Sequence, residues 1–143
     1  MIREATIQDL ETIEWIDQCA FPLDSWTKHH YSQEMTNNPF SHLLVIEESD
    51  VVGFVDYWIT FELGDITRIA VHPDFQGNGF GELLLKEALS QMKELLCERC
   101  QLEVRSSNKK AISLYEKMGF QTIGIRKQYY ENTEDALVMM RVV

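Results

Sequence analysis

The sequence is poor in the features that mark membrane, secreted and disulfide-bonded proteins. Only three of its 143 residues are cysteines and three are prolines. No apolar stretch approaches the ~20 residues that a membrane-spanning helix needs, and residues 1–4 lack the apolar core of a signal peptide. An odd number of cysteines argues against a disulfide framework. We therefore expect a cytoplasmic protein that does not associate with membranes.

Basic residues are also scarce. Thirteen Lys and Arg stand against 23 Asp and Glu, for a net charge of −10. This balance argues against non-specific binding to nucleic acid and suits a soluble protein or a cationic substrate. No repeat or Pro/Gly/Ser-rich linker divides the chain, whose length is typical of one domain of about 100–150 residues. We expect residues 1–143 to form a single domain.

No metal site is indicated by the sequence. Cys97 and Cys100 form a C-x-x-C pair, but a zinc site needs a second pair of ligands and none exists. The four histidines show no metal-ligand spacing that converges with carboxylates. We interpret the thiols as incidental and expect no metal.

Hydrophobic spacing and turn residues predict an α/β domain built around one mixed sheet, with helices covering both faces. The predicted order is one strand, two helices, three strands, a helix, a strand, a helix and two strands. The predicted strands are 2–7, 42–47, 51–61, 66–71, 101–105, 121–127 and 136–142, and the predicted helices are 10–20, 25–35, 81–96 and 108–119.

Three glycines, Gly77, Gly79 and Gly81, lie between a predicted strand and a leucine-rich helix. They fit neither common nucleotide-binding template, because a Rossmann fingerprint would need glycine where Glu82 stands and no glycine begins a Walker loop. Backbone amides at a helix N-terminus can still bind an anion there, where the helix dipole is positive. The alternative is a strand-to-helix turn that uses glycine for its positive φ.

Two longer patterns are more specific than the glycines alone. Residues 76–81, QGNGFG, fit Q/R-x-x-G-x-G/A, the acyl-CoA pyrophosphate loop of the GNAT N-acetyltransferase superfamily. Residues 103–120 resemble the block E-V-R-x-x-N-x-x-A-x-x-L-Y-x-x-x-G-F of GNAT enzymes that acetylate protein N-termini. Phe21-Pro22 and the tail segments 126–130 and 134–136 add to the resemblance, which spans nearly the whole chain.

The resemblance implies a GNAT fold, with a twisted, mostly antiparallel sheet of about seven strands, and acetyl-CoA as co-substrate. It implies that Glu103 is the general base and that Tyr115 protonates the departing CoA thiolate. The implied CoA-binding residues are Ile69, Ala70, Val71, Gln76, Gly77, Asn78, Gly79, Phe80, Gly81 and Asn108, and the implied acceptor-binding residues are Phe21, Pro22, Tyr31 and Tyr130.

Spacing is compatible with these roles. Asn108 and Tyr115 share one helix face, and Glu103 lies on the polar side of its strand, so a carboxylate and a phenol can approach one cleft from adjacent elements. Taken singly, each has another interpretation: a solvated glutamate, a core tyrosine and a helix-capping asparagine. An α-amino group also loses its proton more easily than lysine, by about 3.5 kcal/mol near neutral pH.

Two departures from the family pattern leave details open. Gly77 stands where relatives often carry a basic residue, and Lys109, Lys110 or Arg105 either supply that charge or are surface charges. Leu23 stands where relatives often have Trp.

The acceptor is expected to be a protein N-terminus, such as the alanine of a ribosomal protein. A small cationic amine, a lysine side chain or a catalytically silent acyl-CoA-binding module are alternatives, and the oligomeric state stays open.

Overall fold

A computed structural model describes residues 1–130 and 134–143 of the chain. Its strands are β1 Ile2–Glu4, β2 Ser41–Glu47, β3 Val51–Thr60, β4 Leu63–Val71, β5 Arg99–Arg105, β6 Gln121–Arg126 and β7 Ala136–Val142. They form one seven-stranded sheet in the order β1-β2-β3-β4-β5-β7-β6. All neighbours are antiparallel except β4 and β5, which are parallel. The predicted mixed, mostly antiparallel sheet is confirmed.

Helices cover both faces of this sheet, as predicted. They are α1 Leu10–Ala20, α2 Lys28–Asn37, α3 Phe80–Glu94 and α4 Lys109–Lys117. One core joins α1 and α2 to the sheet through residues such as Ile13 and Phe54, and we call this side the α1–α2 face. The other core joins α3 and α4 to the sheet through Leu85, Leu102 and Tyr115, and we call it the α3–α4 face. No helix within the described residues is long and apolar enough to cross a membrane.

Two predicted boundaries near the N-terminus are wrong because side chains cap the following helical turns. The first strand ends at Glu4, since Thr6 and Asp9 form a capping box in which the Thr6 amide donates to Asp9 Oδ2 at 2.7 Å. The second helix begins later than Ser25, because Thr27 provides its cap. Ser25 and Thr27 are both suitable capping residues, so the sequence did not select between them.

Packing corrects two further boundaries. Gly64 lies inside β4 rather than between two strands. The position requires glycine because a Cβ there would overlap Met92 of α3. The strand therefore approaches the helix more closely than a larger residue would permit. At its other end, α3 stops before Leu95 and Leu96, which are exposed instead of continuing the apolar stripe.

The parallel strands β4 and β5 diverge after a short paired stretch. Among the described residues, their pairing ends where Ile66 lies beside Leu102. β4 continues to Val71 and β5 to Arg105 beyond that point. We call the space between segments 67–71 and 103–105 the β4–β5 opening. Backbone groups along a strand edge that lacks a partner strand are available to bind a ligand. The gap between these two edges also connects the two faces of the sheet.

Candidate active site

The glycine loop that joins β4 to α3 is exposed, and two of its glycines are required by backbone conformation. Gly77 and Gly79 have φ angles of +83° and +82°, which strain any residue with a Cβ. A Cβ on either would meet no atom within 4 Å, so crowding is not the reason for glycine. Gly81 differs: its φ is not positive, and a Cβ there would lie 3.5 Å from Leu114 of α4. A Cβ at Gly81 would therefore make only an ordinary van der Waals contact with α4.

The N-terminus of α3 carries no side-chain cap. Gly79 occupies the cap position and offers no side chain, whereas Thr27 and Asn108 cap α2 and α4. Gln76 does not substitute as a cap, because its Nε2 donates to the carbonyl of Val71 at 3.1 Å. The first amides of a helix have no intrahelical acceptor, and the helix dipole is positive there. This end of α3 therefore fits an anion such as a pyrophosphate.

Tyr115 lies on α4, at the α3–α4 face, and Asn108 immediately precedes this helix. Tyr115 is only 6% exposed, and its ring packs against Phe120 with centroids 5.8 Å apart. Burial raises the pKa of Tyr115, so the phenol is protonated near neutral pH. Asn108 Oδ1 accepts the amide of Ala111 at 3.2 Å, which confirms that Asn108 caps the helix.

Glu103 lies on the opposite side of the sheet from Tyr115. Its neighbours Leu102 and Val104 are both buried in the core beneath α3 and α4. Because successive side chains of a strand point to opposite faces, Glu103 points to the α1–α2 face. The carboxylate and the phenol therefore do not share one side of the sheet, and the β4–β5 opening is where their two sides connect.

Two residues near the end of β6 bind Glu103. Arg126 Nε lies 3.0 Å from Glu103 Oε1, and a hydrogen bond to Glu103 raises the pKa of Tyr129. The Arg126 side chain is 56% exposed, so water competes with this ion pair and weakens it. The Glu103 carboxylate is therefore partly shielded from solvent, and water can displace its ion pair with Arg126.

The connection between α1 and α2 is held on the same face by a buried arginine. Arg68 of β4 is an ion-pair partner of Asp17, with Nη1 and Oδ1 3.0 Å apart. Its guanidinium carbon lies 4.0 Å from the centre of the Phe21 ring, and Nη2 donates to the carbonyl of Asp24 at 2.8 Å. Phe21 and Pro22 are therefore positioned beside the β4–β5 opening.

Arg105 binds the connection between β6 and β7 as well as the connection between α1 and α2. Its Nη2 lies 3.1 Å from Asp24 Oδ1, and its Nη1 lies 3.1 Å from Glu134 Oε1. The guanidinium carbon lies 4.0 Å from the centre of the Tyr130 ring. These contacts lie on the face that carries Glu103, so the suggestion that Arg105 supplies charge to the glycine loop is wrong.

Comparisons with known proteins agree with this geometry. Residues 7–120 match the model of the acetyltransferase (GNAT) family. The chain belongs to this family. It is 39% identical over 140 residues to a Bacillus subtilis (strain 168) protein provisionally named as a ribosomal protein bS18-alanine N-acetyltransferase, with 96% of this chain and 92% of that protein covered.

A relative and a solved structure from Escherichia coli are also similar to this acetyltransferase. The ribosomal protein bS18-alanine N-acetyltransferase of strain K12 is 31% identical over 144 residues, which cover 94% of this chain and 95% of the relative. The crystal structure of the Escherichia coli ribosomal-protein-S18-alanine N-acetyltransferase matches with a TM-score of 0.88 and 27% identity, covering all (100%) of this chain and 93% of that one. The expected family and N-acetyltransferase class are confirmed.

Tyr31 of this acetyltransferase is not positioned to bind an acceptor, which corrects the prediction for this residue. Its side chain is 0% exposed, its hydroxyl donates to Asp17 Oδ1 at 2.5 Å, and its ring meets Phe54 edge-on at 5.4 Å. Tyr31 is a core residue that helps to hold Asp17 in place for Arg68. Sequence reasoning missed this arrangement, although an arginine within the apolar run of β4 and an aspartate among the buried positions of α1 are a detectable signal.

Cys97 and Cys100 of the acetyltransferase belong to the core of the α3–α4 face. Cys97 and Cys100 are buried and unpaired with each other, and burial raises the pKa of Cys100 to about 12. A thiol with so high a pKa is unreactive near neutral pH. Within residues 1–130 and 134–143, no group of His, Cys, Asp and Glu side chains is arranged to hold a metal ion.

Proposed function

We propose that this chain is an acetyl-CoA-dependent N-α-acetyltransferase whose acceptor is the amino-terminal alanine of a ribosomal protein. The observation that carries the proposal is the β4–β5 opening, which connects an anion-binding loop on one face to Glu103 on the other. The names of the bacterial relatives support this acceptor. A ribosomal-protein acceptor would place the enzyme in the cytoplasm, and the single sheet supports treating residues 1–143 as one domain.

The donor side of the site lies on the α3–α4 face. The amides of loop 76–81 would bind the CoA pyrophosphate, because the left-handed glycines and the uncapped start of α3 leave them directed outward. Asn108 would hydrogen-bond the pantetheine arm while capping α4. A backbone N–H of segment 69–71, on the unpaired edge of β4, would donate to the thioester oxygen as negative charge develops there.

Glu103 would prepare the acceptor on the α1–α2 face. An ammonium has no lone pair, so Glu103 must take a proton from it, directly or through a water. The amine nitrogen then forms a bond to the acetyl carbon and loses its second proton to water, and the bond from that carbon to sulfur breaks. Deprotonating lysine instead of an α-amine would cost about 3.5 kcal/mol more near neutral pH. This difference favours a protein N-terminus as the acceptor.

Tyr115 would protonate the departing sulfur from the opposite face. Burial keeps this phenol protonated near neutral pH, so the proton is present when the thiolate forms. Phe21 and Pro22 on one side and Tyr130 on the other would contact the first residues of the acceptor peptide. The proposal needs no covalent acetyl-enzyme, because the amine and the thioester meet in the opening.

This function is tested by measuring how fast the enzyme consumes acetyl-CoA with each of four acceptors. We expect turnover with a peptide that begins with alanine and has a free α-amine. We expect none with a lysine-containing form of that peptide whose N-terminus is blocked, with an acceptor whose only free amine is a lysine side chain, or with a polyamine. Turnover confined to lysine or polyamine would overturn the choice of acceptor. A rise in melting temperature with acetyl-CoA but no turnover with any amine would instead identify a non-catalytic acyl-CoA-binding module.

A further inference from the structure

One arginine of the site contacts both chain segments that flank Glu103. Arg105 lies two residues after Glu103 on β5 and points to the same face. Its two terminal nitrogens bind carboxylates from different parts of the chain, Asp24 between α1 and α2 and Glu134 just before β7. The guanidinium carbon of Arg105 lies over the Tyr130 ring, 4.0 Å from its centre. Arg105 therefore links the connections on both sides of the catalytic strand.

Asp24 extends this link across the opening to β4. Its Oδ1 binds Arg105 at 3.1 Å and its Oδ2 binds Arg68 at 3.4 Å. Glu134 extends the link in the other direction, since its Oε2 accepts the amide of Ser107 at 2.8 Å. Hydrogen bonds from Ser107 lower the pKa of Glu134 to about 2, so this carboxylate stays charged at neutral pH.

We propose that Arg105 is a positioning residue that holds Phe21, Pro22 and Tyr130 at the separation that an acceptor peptide requires. This inference rests on the proposed function, because it assigns the two linked connections to the acceptor side. Arg105 does not touch the reacting atoms. It acts through Asp24 and Glu134.

The chemistry requires arginine rather than any cation. A guanidinium offers several N–H donors in a fixed plane, so it binds two carboxylates in different directions while an aromatic ring stacks on its face. A lysine ammonium at position 105 keeps the charge but cannot reproduce both contacts and the stack together. Arg105→Lys therefore removes the link between the two connections with little change in net charge.

The test compares Arg105→Lys with Arg99→Lys, since Arg99 is an exposed arginine at the other end of the same strand. We expect Arg105→Lys to raise KM for an alanine-first peptide by about tenfold, while KM for acetyl-CoA stays within about twofold. Arg99→Lys should leave both constants at wild-type values. Equal peptide KM values in the two variants would overturn the proposal, and so would a parallel rise in KM for acetyl-CoA.

Hydrogen exchange supplies a readout that does not depend on activity. The amide of Asp24 donates to the carbonyl of Phe21 and the amide of Tyr130 to the carbonyl of Glu134, each at 3.2 Å. Both amides should exchange faster in Arg105→Lys than in Arg99→Lys, and Asp24→Asn should reproduce the effect at the Asp24 position. Unchanged exchange would overturn the proposal even in an inactive enzyme, whereas faster exchange without α-amine turnover in the wild type would overturn only the proposed function.

Discussion

Arg68 of β4 and Arg105 of β5 bind the same carboxylate, that of Asp24, across the β4–β5 opening. The two strands have stopped pairing with each other at this level of the sheet. On one face of the sheet, the Asp24 side chain thus links β4 to β5 in place of backbone hydrogen bonds between the two strands. The other face of the opening is left to the exposed glycine loop and α4.

Replacing Glu103 with glutamine should abolish proton removal from the acceptor while preserving its shape. We expect Glu103→Gln to lower kcat by about 10²- to 10⁴-fold, the usual contribution of a general base, with acetyl-CoA affinity unchanged. Steady-state kinetics and calorimetric titration measure the two quantities. Glu98→Gln, at an exposed position before β5, is the matched control, and an equal loss in both variants would contradict the role of Glu103.

Replacing Tyr115 with phenylalanine removes the proposed proton donor from a buried position. We expect turnover to fall by about 10²-fold or more, with the melting temperature shifted only slightly because the ring still packs against Phe120. Tyr57→Phe is the control, since Tyr57 is also buried on the α3–α4 face but donates to Gln91. Tyr57→Phe should lower stability by about 1 kcal/mol and leave turnover intact; the reverse pattern would refute the role of Tyr115.

Replacing Gly79 with alanine tests the anion-binding loop. The left-handed φ of Gly79 makes a Cβ costly by about 1–2 kcal/mol, although space around it is open. We expect Gly79→Ala to lower both the free energy of unfolding and the affinity for CoA. Gly124→Ala is the control because a Cβ there also meets open space, without a positive φ. Wild-type CoA affinity in Gly79→Ala would argue against a pyrophosphate at this loop.

The proposed donor side of the site was more predictable from sequence than the proposed acceptor side. The loop 76–81 and the cap Asn108 are local features, whose backbone geometry depends on a few adjacent residues. The link through Arg68, Asp24 and Arg105 joins residues far apart in sequence, so no local pattern defines it. Tyr31 was misassigned for the same reason, because its burial depends on Asp17 and on the packing of α2 against the sheet.

The relative position of Glu103 and Tyr115 was only partly predictable from sequence. Alternation along β5 correctly predicted that Glu103 lies on the opposite side of the strand from Leu102 and Val104. It could not predict that Tyr115 belongs to the core with those two residues, because helical spacing does not specify which face of the sheet α4 covers. Only the topology shows that the two groups lie on opposite faces of the sheet.

A buried carboxyl pair beneath α2 predicts a pH dependence of stability. Asp56 of β3 is fully buried and accepts from Ser41 Oγ at 2.9 Å, and its Oδ2 has no donor among the described residues. Burial, together with the neighbouring Glu34 carboxylate, raises the pKa of Asp56 well above its usual value. Folding therefore places Asp56 where its ionised form is disfavoured, both by burial and by the nearby charge of Glu34.

Because its pKa is raised on folding, Asp56 binds a proton more tightly in the folded than in the unfolded state. Its contribution to stability therefore falls as pH rises above the unfolded pKa of about 3.9. Asp56→Asn does not titrate, so its stability should decline less than that of the wild type as pH rises from about 4 towards neutrality. Chemical denaturation across this range measures the difference. The exposed Asp50→Asn should follow the wild type, and parallel curves for all three proteins would exclude a raised pKa at Asp56.

The central claim is that the opening delivers acetyl to an α-amine with Glu103 as the base. One peptide that begins with alanine and carries an internal lysine tests it most directly. Tandem mass spectrometry after incubation with acetyl-CoA should locate the acetyl group on the alanine nitrogen alone, with the product nearly absent for Glu103→Gln. Acetyl on the lysine nitrogen, or equal product from the wild type and Glu103→Gln, would contradict the account.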